Sequence, residues 1–421
     1  VSDADRAPRA SLDLLGVPPF VRTGSTWFRY GQLGLVGFVI DGYAPTVRLV
    51  ARDLHIPVSL ASLHATAFGL GFIVASFVAP RLTARVGRIT TGWLGAVGLC
   101  LGVGLYLLSP VFAGTLAGIG IAGFSGTLVQ SSAYAHLSAS HGANSPRAMS
   151  EGSAVAQATG MFAPVAVGVA STTVLGWRGG LALDIVLVAL LGSAAWALAR
   201  RRSGGATRGT DAAPVRSMRT QRAGRLPTRF WGVWASVVVV LGIEFCMSVW
   251  APVDLARRPG IADAVATASP AFMLGGMLIG RVAMGRLTQR WPVDVLMVTS
   301  IAVSLIGFGL FWAVPIDWVS VVSLAVAGLG IAGQFPLSLA RLVAASDGRH
   351  DVASAWGTLA LGIAIAGAPA LLGVLGAAVG VTTGLLLVPL LCLVSGTLVA
   401  LTPTSAGRTT NASGHGAAAT G

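Results

Sequence analysis

Long apolar runs, each closed by a short polar break, follow one another along almost the whole chain. Twelve such stretches can be marked, at roughly 28–49, 59–80, 89–108, 111–135, 149–173, 180–199, 229–250, 265–284, 292–313, 318–340, 352–376 and 379–401. A helix needs about 20 mostly apolar residues to cross the hydrocarbon of a bilayer. Barrel strands would read as short segments of alternating polarity, which these runs are not. The pattern predicts an all-α membrane protein with 12 transmembrane helices.

The polar breaks set the organisation. The longest internal one, residues 200–228, carries Arg200, Arg201, Arg202, Arg208, Arg216, Arg219, Arg222, Arg225 and two Gly-rich patches. It divides the spans six and six. The expected layout is an N-terminal tail (1–27), a six-helix bundle (28–199), a flexible Arg-rich linker (200–228), a second six-helix bundle (229–401) and a C-terminal tail (402–421) whose small polar residues favour disorder.

Composition agrees, with 54% hydrophobic and only 10% charged residues, against roughly a quarter charged in soluble domains. The net charge of +13 rests on Arg alone, since the chain has no Lys. Nucleic acid is excluded as a partner, because these Arg punctuate apolar runs and form no basic stripe. With the N-terminus inside, 22 of the 28 Arg fall on inner segments and five (Arg48, Arg52, Arg178, Arg257, Arg258) on outer loops. The positive-inside rule then places both termini and the linker in the cytoplasm and the protein in the cell membrane.

The chain also repeats itself. RLTAR (81–85) returns as RLTQR (286–290), and Gly152, Pro164 and Gly168 return as Gly357, Pro369 and Gly373, each 205 residues on. GIGIAG (118–123) returns as GLGIAG (328–333) at nearly that spacing. The halves read as two copies of one six-helix unit in the same orientation, related by an axis along the membrane normal.

The loop after the second span resembles that of the major facilitator superfamily of secondary transporters, roughly G-x-L-a-D-R-x-G-R. Here it reads Pro80-Arg81-Leu82-Thr83-Ala84-Arg85-Val86-Gly87-Arg88, and its second copy begins Gly285-Arg286-Leu287-Thr288-Gln289-Arg290. Ala84 and Gln289 stand where the family has its acid, so the basic half of the motif is what remains. The resemblance implies two pseudo-symmetric six-helix bundles, a cavity lined by spans one, four, seven and ten, alternating access by rocking, and a monomer. Arg81, Arg85, Arg88, Arg286 and Arg290 anchor their loops at the headgroups. As a cytoplasmic gate they would also grip Glu151 and Asp351 of the opposite bundle.

Ionisable residues inside membranes mark pathways. Asp41 in span one and Glu244 in span seven are the candidates for proton coupling or substrate recognition, with Arg48, two turns outward, as a structural partner for Asp41. Asp184 in span six reads as structural, near Arg178. Gln130 and Tyr134 in span four, Gln334 in span ten and Trp250 at the end of span seven could line a substrate cavity. Pro164 and Pro369 should kink spans five and eleven.

Cys100, Cys246 and Cys392 lie apart inside apolar runs and read as buried thiols, and the six His are scattered. With no hydrolase, metal or nucleotide motif, neither enzyme chemistry nor a cofactor or metal is expected. The expectation is a proton-coupled secondary transporter of a small molecule. Export of a cationic or amphipathic compound, such as a drug or secondary metabolite, leads, on the two acids, the apolar cavity lining and the remnant of the family's exporter signature in Ala163-Pro164-Val165-Ala166-Val167-Gly168. Proton-symport uptake of a sugar or carboxylate is the alternative, and a non-transporting sensor or scaffold a remote one. The absence of Arg from deep positions in spans one, four, seven and ten argues against anionic cargo.

Overall fold

A computed structural model describes residues 20–203, 225–288, 290–314, 316–347 and 349–403. Most of the expected linker and both expected tails, except their residues nearest the bundles, lie outside this range. The described residues form helices and connecting turns, with no strand among them. Twelve helices are long and apolar enough to span a membrane. They are span one (Gly24–Asp53), two (Val58–Val86), three (Arg88–Leu108), four (Phe112–His141), five (Arg147–Ala170), six (Gly176–Ala194), seven (Thr228–Leu255), eight (Asp263–Leu287), nine (Val293–Ala313), ten (Asp317–Ala344), eleven (Ala355–Val379) and twelve (Val381–Leu401).

Several helices outrun their apolar cores because local chemistry carries them into the headgroup region. Span one starts at Gly24, where Thr23 and Thr26 form a reciprocal capping box (amide to hydroxyl oxygen, 3.3 and 3.2 Å) that satisfies two otherwise free amides. Spans two and three are separated by Gly87 alone, at φ 85°. A left-handed residue stops one helix and starts the next without a loop, and glycine adopts it at no steric cost.

The helices pack through backbone contacts at small residues, the usual way to associate in lipid, and here the repeat becomes physical. A Cβ on Gly71 would strike the Gly120 carbonyl, and one on Gly276 the Ala325 carbonyl. Gly123 meets the Phe68 carbonyl as Gly328 meets that of Met273, and Gly102 meets the Ala122 amide as Gly307 meets that of Ala327. In every pair both partners are shifted by 205 residues. This corrects the alignment of GIGIAG with GLGIAG. Gly118 packs on span three whereas Gly328 packs on span eight, so Gly328 is the counterpart of Gly123. The two sextets match in letters because both are Gly/Ala-rich, but not in position.

Contacts between halves cluster at the face opposite the start of span one. Gly168 packs on Ala264, and Gly373 packs on Ser59, again 205 residues apart at both ends. Thr66 donates to the Ala366 carbonyl at 2.7 Å. Arg48 and Arg52 reach across to Asp263 at 3.0 and 3.2 Å, and Arg48 also reaches Thr267 at 2.9 Å. At the other face, expected to be cytoplasmic, bonds hold each half to itself. Examples are Tyr134 with Ser153 (2.8 Å), Trp234 with the Trp356 carbonyl (2.8 Å) and Arg341 with Asp294 (2.8 Å). Among the described residues, the hydrogen bonds and ion pairs that join the halves lie at the first face.

Candidate functional site

Spans one and seven run through the middle of this arrangement. From Val240 to Leu255 every residue of span seven is buried except Glu244. In span one, Leu33–Val39 and Gly42–Val47 are buried, and Ile40 and Asp41 between them are not. Asp41 and Glu244 therefore interrupt stretches that are otherwise buried. The two carboxylates act on each other electrostatically, and the Arg281 guanidinium from span eight acts on both. The Tyr134 phenol lies in the field of the same guanidinium.

The local sequence explains how Asp41 is held. Gly34, Gly37 and Gly160 let spans one and five touch backbone to backbone, and the Thr159 hydroxyl donates to the Gly34 carbonyl at 2.8 Å. A Cβ at Gly160 would collide with the Asp41 carboxylate oxygen. Glycine there leaves the room that the acid occupies.

The polar and exposed residues of spans four and ten sort differently from expectation. On span four Ser131 and Ser138 are exposed and Tyr134 and Gln130 half-buried, while Pro336 and Ala340 are exposed on span ten with Leu339 half-buried. Gln334 and Trp250 are corrections. Gln334 is 1% exposed and donates to the Ser304 hydroxyl at 2.8 Å, so it ties span ten to span nine. Trp250 is equally buried and donates from its indole to the Pro369 carbonyl at 2.9 Å, pinning span seven to span eleven. A buried polar group needs such a partner, and both N–H donors found it within their own half, while the Gln334 Oε1 is buried without one. Pro164 and Pro369 lie inside continuous helices. A separate crevice of about 400 Å³, lined by Gly31, Gly34, Thr159, Leu190 and Leu191, lies between spans one, five and six. Among the described residues no group of three His, Cys, Asp or Glu could hold a metal ion.

A family model described as Major Facilitator Superfamily matches residues 32–316. The chain belongs to the Major Facilitator Superfamily. A crystal structure of a mutant of the nucleoside transporter NupG superposes with a TM-score of 0.72 at 12% identity, covering 90% of this chain and 99% of that one. That likeness concerns the fold. No curated protein sequence matches this chain. As a member of the superfamily the protein is a multi-pass membrane transporter and not an enzyme.

The charged pairs of this superfamily member differ from those read in the sequence. Arg48 pairs with Asp263, not Asp41, and Arg178 pairs with Asp53 at 2.6 Å, not Asp184. Both Asp184 carboxylate oxygens are buried without a hydrogen-bond partner. Glu151 pairs with Arg22 (2.7 Å) and Arg147 (3.3 Å) and accepts from the Tyr30 hydroxyl (3.1 Å), all in its own half. Hydrogen bonding to Glu151 raises the Arg22 pKa from its ordinary value. Arg81 donates to the Phe77 carbonyl of its own helix at 2.7 Å. Arg85, Arg286 and Arg290 are exposed and Arg88 half-buried. The Asp351 side chain lies outside the described residues. Among the described residues, none of the expected gate arginines is paired with Glu151.

Two features of the charge arrangement escaped the sequence reading. Arg281 was visible as a charge interrupting the apolar GMLIGRVAMG, but the acids on which its charge acts come from spans one and seven. The latch of Arg48 and Arg52 on Asp263 joins residues more than 200 positions apart, and no local pattern announces it.

Proposed function

We propose that this transporter couples the movement of a small polar organic solute to protons, by alternating access, in the cell membrane with both termini in the cytoplasm. Asp41 and Glu244 carry the coupling. On that orientation the structure corresponds to the inward-open state, with the Arg48–Asp263 latch closing the outside. The observation that carries the reading is that two carboxylates inside membrane spans, one from each half, interrupt buried stretches within electrostatic reach of each other, where rocking would change their exposure to water. A carboxylate desolvated in one state and hydrated in the other binds its proton differently in the two, which is the linkage that coupling needs.

Polar and charged neighbours favour a polar solute over an amphipathic one. Pro164 and Gly168 support export, joint binding of solute and protons would support uptake, and the sign of the proton gradient that drives flux decides between the two. The test needs no substrate. Spin labels at Leu175 and Val379 (outer ends) and at Val86 and Trp291 (inner ends) report the opening of each face in liposomes as pH is changed. The wild type should shift its distance distribution with pH, and Asp41→Asn with Glu244→Gln should not. A double variant that responds like the wild type removes the coupling assignment.

A further inference from the structure

The geometry points to Arg281 as the recognition element for an anionic group on the transported solute, a carboxylate or phosphate. This inference rests on the transport reading above and names the substrate class of the same cavity.

The helix itself aims the guanidinium. On span eight, Phe272, Ile279 and Val282 are 45%, 66% and 59% exposed and form the lipid face. Gly276 and Gly280 pack on span ten, against Ala325, Leu329 and Ala332. The third face holds Leu274 and Met277, 2% and 1% exposed, and one turn further toward the open side it holds Arg281. Arg281 is half-buried, and its Nε is buried with no hydrogen-bond partner. A guanidinium offers five donors in a planar fork that fits a carboxylate or phosphate with two parallel bonds. A charged donor left unmatched in a buried site is costly, and a ligand oxygen would satisfy it.

The surroundings set the terms of binding. Asp41 from span one, Glu244 from span seven and Tyr134 from span four lie within the electrostatic reach of this guanidinium. Span five brings Met161 against span eight, and span ten brings the apolar residues named above. Asp263, at the outer start of span eight, is engaged by Arg48 and Arg52. With both acids ionised the trio has a formal charge of −1 and repels an anion. With both protonated it is +1 and attracts one. The anion and the protons therefore occupy the cavity together, which reverses the sequence-based argument against anionic cargo. That argument looked for Arg in spans one, four, seven and ten, and the guanidinium arrives from span eight.

The test is ligand-induced stabilisation of the purified full chain, read as the melting temperature in detergent at pH 5.5 and 7.5. The probes are acetate, benzoate, succinate and inorganic phosphate, with uridine as a neutral control. At least one anion should raise the melting temperature of the wild type, more at pH 5.5 than at 7.5. Arg281→Gln should weaken that anion's apparent affinity at least tenfold, while Arg281→Lys keeps part of it. Size-exclusion profiles and the pH response of the spin-label distances show that the variants fold and rock. If no anion stabilises the wild type, or if Arg281→Gln leaves the stabilisation intact, the inference is overturned. Stabilisation by uridine alone has the same meaning. The transport reading survives each of these outcomes as long as the distances still follow pH, and falls only if they do not.

Discussion

The two halves share a packing frame and differ in their charges. Gly71 and Gly276, Gly123 and Gly328, Gly102 and Gly307, and Gly168 and Gly373 make the same contacts 205 residues apart. At that spacing Asp41 meets Cys246, Glu244 meets Val39 and Arg281 meets Ser76. Helices must approach closely in both halves, so a Cβ at any of these glycines is excluded twice over. On the proposed mechanism a proton or a solute has to be met only once, and one copy of each charge is enough. The far-face latch is equally one-sided, since Asp263 has Val58 as its counterpart. Repetition marks what holds this protein together, and departures from repetition mark where it works.

The largest way to break this contrast is at the charges. Asp41→Asn with Glu244→Gln should abolish the response of the inter-half distances to pH while leaving the melting temperature close to that of the wild type. Loss of folding instead would make the acids part of the frame. Next in size is the frame itself. Gly71→Val and Gly276→Val each force a side chain into a backbone contact, and overpacking of this kind costs about 1–3 kcal/mol. Matched losses in thermal unfolding would sharpen the symmetry, and a large loss in one half alone would break it.

The latch comes third. Asp263 is 55% exposed and its partners Arg48 and Arg52 are 13% and 74% exposed. Exposed pairs contribute up to ~1 kcal/mol, so Asp263→Asn should shift the balance toward an open outer face by about fivefold at most. Arg52→Ala should do less than Arg48→Ala, and exchanging the charges of residues 48 and 263 should restore closure. Spin-label distances across the outer face measure all three. The smallest effect is expected at Glu151→Gln, which removes the pairing with Arg22 inside one half. It should change the opening of neither face, and a marked change would assign Glu151 to the gate after all.

Much of this was legible in the chain. Spans follow from apolar length because lipid leaves a helix no other way to satisfy its backbone. The 205-residue repeat follows from RLTAR and from Gly152, Pro164 and Gly168. Asp41 and Glu244 stood out because a charge in an apolar run is rare. What could not be read was direction around a helix axis. Gln334 and Trp250 sit in cavity-lining spans yet donate within their own half, to Ser304 and to the Pro369 carbonyl. Arg281 sits in a span not counted among the lining helices, yet its charge acts on both acids. Rotation is set by which neighbours pack where, and a hydropathy pattern that is apolar all round carries little of that information.

The central claim is that Glu244 looks into a water-filled space reached from the cytoplasm. It is tested most directly by placing Cys at position 244 in a chain whose Cys100, Cys246 and Cys392 are replaced by Ala. A membrane-impermeant thiol reagent is then added to right-side-out and to inside-out vesicles. Labelling should occur from the cytoplasmic side and be slow from the outside while the latch is intact. Labelling from neither side would turn position 244 toward lipid or solid packing and contradict the account.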